Sequence, residues 1–321
     1  MVNKKNRKVA IIFGITGQDG SYLSDYLIKK KYFVIGVSRK RKKVIKNHLK
    51  IGISKKLKIK YFNYSDSYQV NKLIKATNCK EIYYFGGQPL PTISKKFSIE
   101  TLYSNIIPVF YILNSILILN KKIKFFNASS YHIYKSSSAA LNENSILGPE
   151  TIYGLSKLIS YELVKFFRNH YNLKACSGIM FQHESPLRNK NTVIPKIIKL
   201  TQLIKKKKIK NLKLGNIKVT RDWGWAPDYV KIIHKILISK KMDDYIIATG
   251  HSTKLEKVVK IIFKKYNLDI SKKLFIDKKL FRKNETLINK ADISKIKKNF
   301  SWQPKNLIEE IIEKLLNKRL Y

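Results

Sequence analysis

The stretch from Val9 to Lys30 restricts the fold more than any other. An unbroken apolar run, Val9-Ala10-Ile11-Ile12-Phe13, leads into Gly14-Ile15-Thr16-Gly17-Gln18-Asp19-Gly20 and then into the amphipathic Ser21 to Lys30. A run with no polar alternation suits a strand buried on both faces of a parallel sheet. Glycines spaced three and three between strand and helix permit a tight turn, a close approach of backbone to a pyrophosphate, and tight helix-to-strand packing. Gly14, Thr16, Gly17, Gln18, Asp19 and Gly20 are therefore the candidate phosphate-binding loop. The spacing is GxxGxxG and not GxGxxG, so the generic pattern is met in its setting of strand, loop and helix more than in its letters.

The chain then repeats the alternation. Tyr32 to Val37 reads as a second strand, and Ser38-Arg39-Lys40-Arg41 follows it. An acidic residue at that point binds the ribose hydroxyls of NAD, whereas an Arg accommodates the extra phosphate of NADP. With Arg39 there and no acid, NADP is favoured over NAD; the other reading of Arg39 and Arg41 is plain surface charge. Lys58 to Phe62 and Glu81 to Phe85 are the third and fourth strands, with a helical Tyr68 to Lys75 between them. The fourth ends in Gly86-Gly87-Gln88, which places Gly86 and Gln88 where backbone can pass close to a nicotinamide ribose. A long helix is expected from about Ile99 to Leu119, then a strand from Ile123 that enters Asn127-Ala128-Ser129-Ser130. This is an α/β pattern, a right-handed doubly wound parallel sheet with ligands beyond the carboxyl ends of its strands.

Tyr153 and Lys157 lie four residues apart on the next helix, so they share a face. The ammonium can stabilise a phenolate and make Tyr153 a base for a hydroxyl that is about to lose a hydride. Beyond a strand at Lys174 to Phe181 the regular alternation weakens, with a helix expected over Val193 to Lys208. Residues 1–181 are expected to form the dinucleotide-binding domain, with 216–250 returning to it, and 182–321 to form a smaller, interleaved α/β substrate domain.

Composition limits the alternatives. The formal charge is +45, from 66 Lys and Arg against 21 Asp and Glu. Such a balance ordinarily suggests nucleic acid. Here the lysines are spread along the whole chain, so a solvated basic surface is preferred, one that attracts an anionic nucleotide. Cys79 and Cys176 offer neither a metal spacing nor a disulfide framework, and no metal is expected. The basic Met1 to Lys8 precedes a strand and not a signal-peptide core, and no apolar run is read as reaching membrane-spanning length. A cytoplasmic enzyme without membrane or nucleic-acid partners is expected.

Taken in order, further motifs extend the reading to the C-terminus: Gln182-His183-Glu184-Ser185-Pro186, Gly215-Asn216, Arg221-Asp222-Trp223-Gly224, Asp228-Tyr229-Val230, Ile247-Ala248-Thr249-Gly250, Phe281-Arg282, Asp292 and Trp302-Gln303-Pro304. With the glycine loop, this ordered set resembles the extended short-chain dehydrogenases with a Rossmann fold that act on nucleotide sugars, and among them the GDP-mannose 4,6-dehydratase family. The resemblance implies GDP-mannose as substrate, tightly held NADP, and a homo-oligomer. It implies hydride transfer from sugar C4, loss of water across C5 and C6, and return of the hydride to C6. Tyr153, Lys157 and Ser130 would act at the sugar hydroxyl, and His183 would lie on the cofactor. Gln182, Glu184, Lys196, Arg221, Arg282 and Glu285 would line the nucleotide sugar, with Arg221 and Arg282 suited to its diphosphate. His132 stands where the family pattern has a Glu that removes the C5 proton. It is the candidate base here, and the same substitution keeps a 4-epimerase or 4-ketoreductase as the alternative. Trp223 is expected to serve packing, and His183 and Glu184 to hold their loop more than to react.

Overall fold

The computed structural model describes residues 7–41, 44–89, 94–281 and 286–321. The chain opens with β1 (Val9–Phe13), α1 (Gln18–Lys29), β2 (Phe33–Ser38), α2 (Lys46–Lys50), β3 (Lys58–Tyr61), α3 (Ser67–Thr77), β4 (Glu81–Tyr84), α4 (Ser98–Leu119) and β5 (Lys124–Ser130). A short turn of 3-10 helix at Tyr131–Ile133 precedes α5 (Ile152–Tyr171) and β6 (Ala175–Met180). Next come β7 (Gln182–Glu184), α6 (Val193–Lys205), β8 (Leu212–Leu214), β9 (Thr220–Trp225), α7 (Ala226–Ile238), β10 (Tyr245–Ile247), β11 (Ser252–Lys254), α8 (Leu255–Lys265) and β12 (Leu274–Ile276).

Two compact units result. The first holds residues 1–135, 145–180 and 229–247; the second holds 136–144, 181–228 and 248–321. The first unit contains a seven-stranded sheet in the order β10-β6-β5-β4-β1-β2-β3. Its pairings are parallel throughout, with Ile11 opposite Ile35 on one side and Ile82 on the other. This is the doubly wound sheet expected of the sequence. Strand order reverses between β1 and β4, and the crevice at that switch point is where such sheets bind ligands.

Local sequence explains the elements. Ala10 to Phe13 are wholly buried because helices cover both faces of the sheet. Asp66 starts α3 by accepting the Gln69 N–H at 3.1 Å, and Thr151 starts α5 by accepting the Gly154 N–H at 3.0 Å. Asn78 and Asn172 end those helices in the left-handed conformation that Asn tolerates. Ile11, Phe13, Ile82, Phe125, Val109 and Val164 meet in one core of this unit.

Three expectations need correction. Helix α4 is long and apolar enough to span a membrane by length and composition. Its Val109, Ile112, Leu113 and Ile116 are buried in the first unit's core, so the apolar character is spent on packing. Second, the return to the first unit spans 229–247 and not 216–250, because β9 pairs with β7 and β11 in the second unit's own three-stranded sheet. Residues 136–144 likewise group with the second unit, where Leu141 bridges Ala291. Third, the helix expected over 193–208 stops at Lys205, since Lys207 adopts a positive φ of 57°. Trp223 packs with Ile197, Val259, Ile262 and Ile312 in the second unit's core, as its packing role required.

Candidate active site

The glycine loop leaves β1 through Gly14, whose φ of +79° is a backbone shape that L side chains rarely adopt. Its N–H donates to Val37 O at 3.2 Å, which ties the loop to the end of β2. A Cβ at Gly20 would sit 2.5 Å from Gly14 O and 2.9 Å from Ile15 Cα, so only glycine lets α1 begin this close to the turn. Gly17 is the N-cap of α1 and supplies no side-chain acceptor to the first-turn N–H groups. Those donors and the positive end of the helix dipole are what a pyrophosphate needs. The chain therefore fits a dinucleotide at this loop. Gly20→Ala is expected to weaken dinucleotide binding at least tenfold and to cost about 1–3 kcal/mol of stability through overpacking. Titration of the nucleotide and a denaturant melt check the two effects.

The loop has supports that the sequence did not reveal. His48 contacts Ile15 O through Nε2 at 2.9 Å, and Asn47 Nδ2 donates to Thr16 O at 3.2 Å, both from the five-residue helix α2. Burial pushes the His48 imidazole below its ordinary value, so its neutral form is favoured. At the end of β4, Gly87 has φ +95° and lies against α4, where a Cβ would collide with Asn105 Oδ1. Asn105 Nδ2 donates to Gln88 O at 3.3 Å, and the Gln88 N–H donates to Ser104 Oγ at 3.1 Å. The one signal for these supports was a Ser-Asn pair interrupting an apolar helix.

The reactive group sits at the carboxyl end of β5. Lys157 is 5% exposed, and its Nζ donates to Ala128 O at 2.9 Å. The same nitrogen lies 5.9 Å from the centre of the Tyr153 ring. Burial lowers the Lys157 pKa from 10.5 to about 8, through the loss of water around the cation. The ammonium is held charged at neutral pH. Ser130 ends β5, and its Oγ receives the His132 N–H at 3.4 Å. Ser129 is buried, and its Oγ has no protein hydrogen-bond partner among the described residues.

His132 belongs to the short turn between Ser130 and α5. Its ring meets the Tyr153 ring edge-on, with centroids 5.6 Å apart at 84°, and lies 4.1 Å from the Tyr131 ring at 30°. Gly154 makes that packing possible, since a Cβ there would strike His132 O. Ser130, His132, Tyr153 and Lys157 thus converge within the first unit. Arg39 is also in this unit, over the Tyr64 ring and within 3.3 Å of Glu100.

The second unit holds the other expected residues. His183 Nδ1 contacts Phe181 O at 2.8 Å, and Glu184 is buried 3.9 Å from Arg188. Burial raises the Glu184 pKa against the pull of Arg188. Gln182, His183 and Glu184 form β7, paired in register with Trp223, Gly224 and Trp225 of β9. Arg221, on the same β9, donates to Thr220 O at 2.8 Å and Leu287 O at 3.3 Å. Asp222 beside it accepts from the Thr249 N–H and hydroxyl and the Gly250 N–H at 2.9, 2.7 and 2.8 Å. Burial still pushes its carboxyl up to about 6. Lys196 is exposed on α6. Arg282 and Glu285 lie outside the described residues.

The family model for GDP-mannose 4,6 dehydratase matches residues 11–315. The chain is 32% identical to GDP-mannose 4,6 dehydratase 1 of Arabidopsis thaliana over 327 residues, covering 98% of this chain and 91% of that protein. Two solved structures share the fold. UDP-glucose 4-epimerase of Thermotoga maritima, solved with UDP-glucose, has a TM-score of 0.84 at 18% identity, covering 97% of this chain and 98% of its own. The dTDP-glucose 4,6-dehydratase of Bacillus anthracis, solved with NAD, has a TM-score of 0.83 at 17% identity, covering 97% and 96%.

Proposed function

We infer the function from the fact that this chain belongs to the GDP-mannose 4,6 dehydratase family, and propose that it converts GDP-mannose to GDP-4-keto-6-deoxymannose with NADP. The observation that carries the reading is the buried Lys157 ammonium beside Tyr153 at the end of β5, with the His132 ring against Tyr153. A nicotinamide dinucleotide bound at the α1 N-terminus would take up a hydride and later return it. The sugar diphosphate would use arginines, of which Arg221 is the described candidate.

The Lys157 ammonium stabilises Tyr153 as a phenolate, which takes the O4 proton as C4 is oxidised and so becomes a neutral phenol. Ser130 Oγ holds the same hydroxyl. The new 4-keto group acidifies the C5 hydrogen, and His132 removes it. The imidazolium so formed can hand that proton to the departing O6, so water leaves and no net proton is consumed. The ketone persists in the dehydratase outcome, so Tyr153 does not return its proton to O4 but releases it to solvent; the hydride would go to C6 and a proton from solvent to C5, which restores the balance.

Preference for NADP over NAD, a cytoplasmic location and assembly into a homo-oligomer belong to the same proposal. The first rests on Arg39 at the end of β2. His132→Ala is expected to slow water loss about a hundredfold or more while C4 oxidation continues. In single turnover, reduced nicotinamide then accumulates with the sugar still hydrated. Undiminished water loss in this variant removes His132 as the base.

A further inference from the structure

At the end of β2, the Arg39 guanidinium stands over the Tyr64 ring, 5.8 Å from its centre. Tyr64 is itself held in the core, edge-on to Phe13 at 5.7 Å and to Tyr84 at 6.2 Å. Two residues along, Arg41 stands over the Tyr61 ring at 5.6 Å. The platform is fixed to the glycine loop through the bond from Gly14 N–H to Val37 O, two residues before Arg39. In a dinucleotide site, the position about 20 residues beyond the glycine loop addresses the ribose 2′ group.

Arg39 is not left to a phosphate alone. Glu100, in the first turn of α4, reaches across 61 residues of sequence and accepts a hydrogen bond from Arg39 Nη1 at 3.3 Å. A carboxylate there neutralises the guanidinium and repels any further anion that approaches it. We propose that Glu100 moderates the discrimination between NADP and NAD, by occupying the Arg39 guanidinium that a 2′-phosphate would otherwise engage. The 2′-phosphate must displace or share Glu100, whereas a 2′-hydroxyl has no charge to be repelled. Arg39 favours NADP, and Glu100 moderates that preference. The inference rests on the glycine loop being a dinucleotide site.

The test is calorimetric titration of the nucleotide-free protein with NADP and with NAD, for the wild type, Glu100→Gln, Arg39→Gln and the double variant. Glu100 is exposed and forms a surface pair, so the Gln variant is expected to fold normally. Glu100→Gln should tighten NADP about fivefold, with NAD changed less than twofold. Arg39→Gln should weaken NADP about tenfold or more, and in that background Glu100→Gln should no longer matter. An unchanged NADP-to-NAD ratio in Glu100→Gln, or the same gain in the absence of Arg39, overturns the proposal. If wild-type protein binds neither nucleotide, the dinucleotide reading of the glycine loop fails and this inference falls with it. Binding of both without an effect of Glu100 leaves that reading standing and removes only the role of Glu100.

Discussion

Tyr153→Phe is expected to lower turnover about a thousandfold and to leave the denaturant midpoint close to that of the wild type. The substitution keeps the ring, which is almost wholly buried and packs edge-on against His132. It removes only the hydroxyl proposed to exchange the O4 proton. On the proposed mechanism C4 oxidation needs that acceptor at neutral pH, and every later step depends on the ketone. Steady-state turnover and a urea melt on the same sample separate lost chemistry from lost structure. Turnover within tenfold of wild type would place the base elsewhere.

Lys157→Met should also abolish most turnover, by about a hundredfold or more, yet stabilise the fold near pH 7. A Lys whose pKa falls from 10.5 unfolded to about 8 folded is a cation kept charged at a cost. That cost is about 3 kcal/mol below pH 8, where both states are protonated. Between pH 8 and 10.5 the folded protein loses this proton first, so the unfolded state binds more protons and wild-type stability rises with pH in that window. Methionine removes the desolvated charge but also the donor to Ala128 O, a loss of about 1–2 kcal/mol. A net gain of about 1–2 kcal/mol at neutral pH remains, and the rise between pH 8 and 10.5 disappears. Urea melts across that range check both. A loss of stability at neutral pH would show that Lys157 is held by favourable contacts and not against its desolvation.

The first unit was legible because its strands and glycine loop announce themselves locally. Val9 to Gly20 needs both an unbroken apolar run and glycines where Cβ atoms would collide, and few other folds ask for both. Tyr153 and Lys157 were legible for the same reason, since helical spacing alone puts them on one face. What depended on distant pairing was not legible. Lys157 finds Ala128 O across 29 residues and Arg39 finds Glu100 across 61, and no local pattern records either bond. The short α2 has too few turns to show a period, so Asn47 and His48 gave no hint that they hold the glycine loop. β9 was assigned to the wrong unit because its partners, β7 and β11, are selected by pairing and not by composition. Apolar content alone likewise could not distinguish α4 as a core helix from a membrane span.

The site is proposed to dehydrate a nucleotide sugar. Mass spectrometry of GDP-mannose incubated with the protein and a catalytic amount of NADP tests it most directly. The expected product has lost one water, carries a 4-keto-6-deoxy sugar, and leaves the nicotinamide in its starting redox state. A product of unchanged mass, or one formed only with stoichiometric NADPH, would contradict dehydration and indicate a 4-epimerase or a 4-ketoreductase.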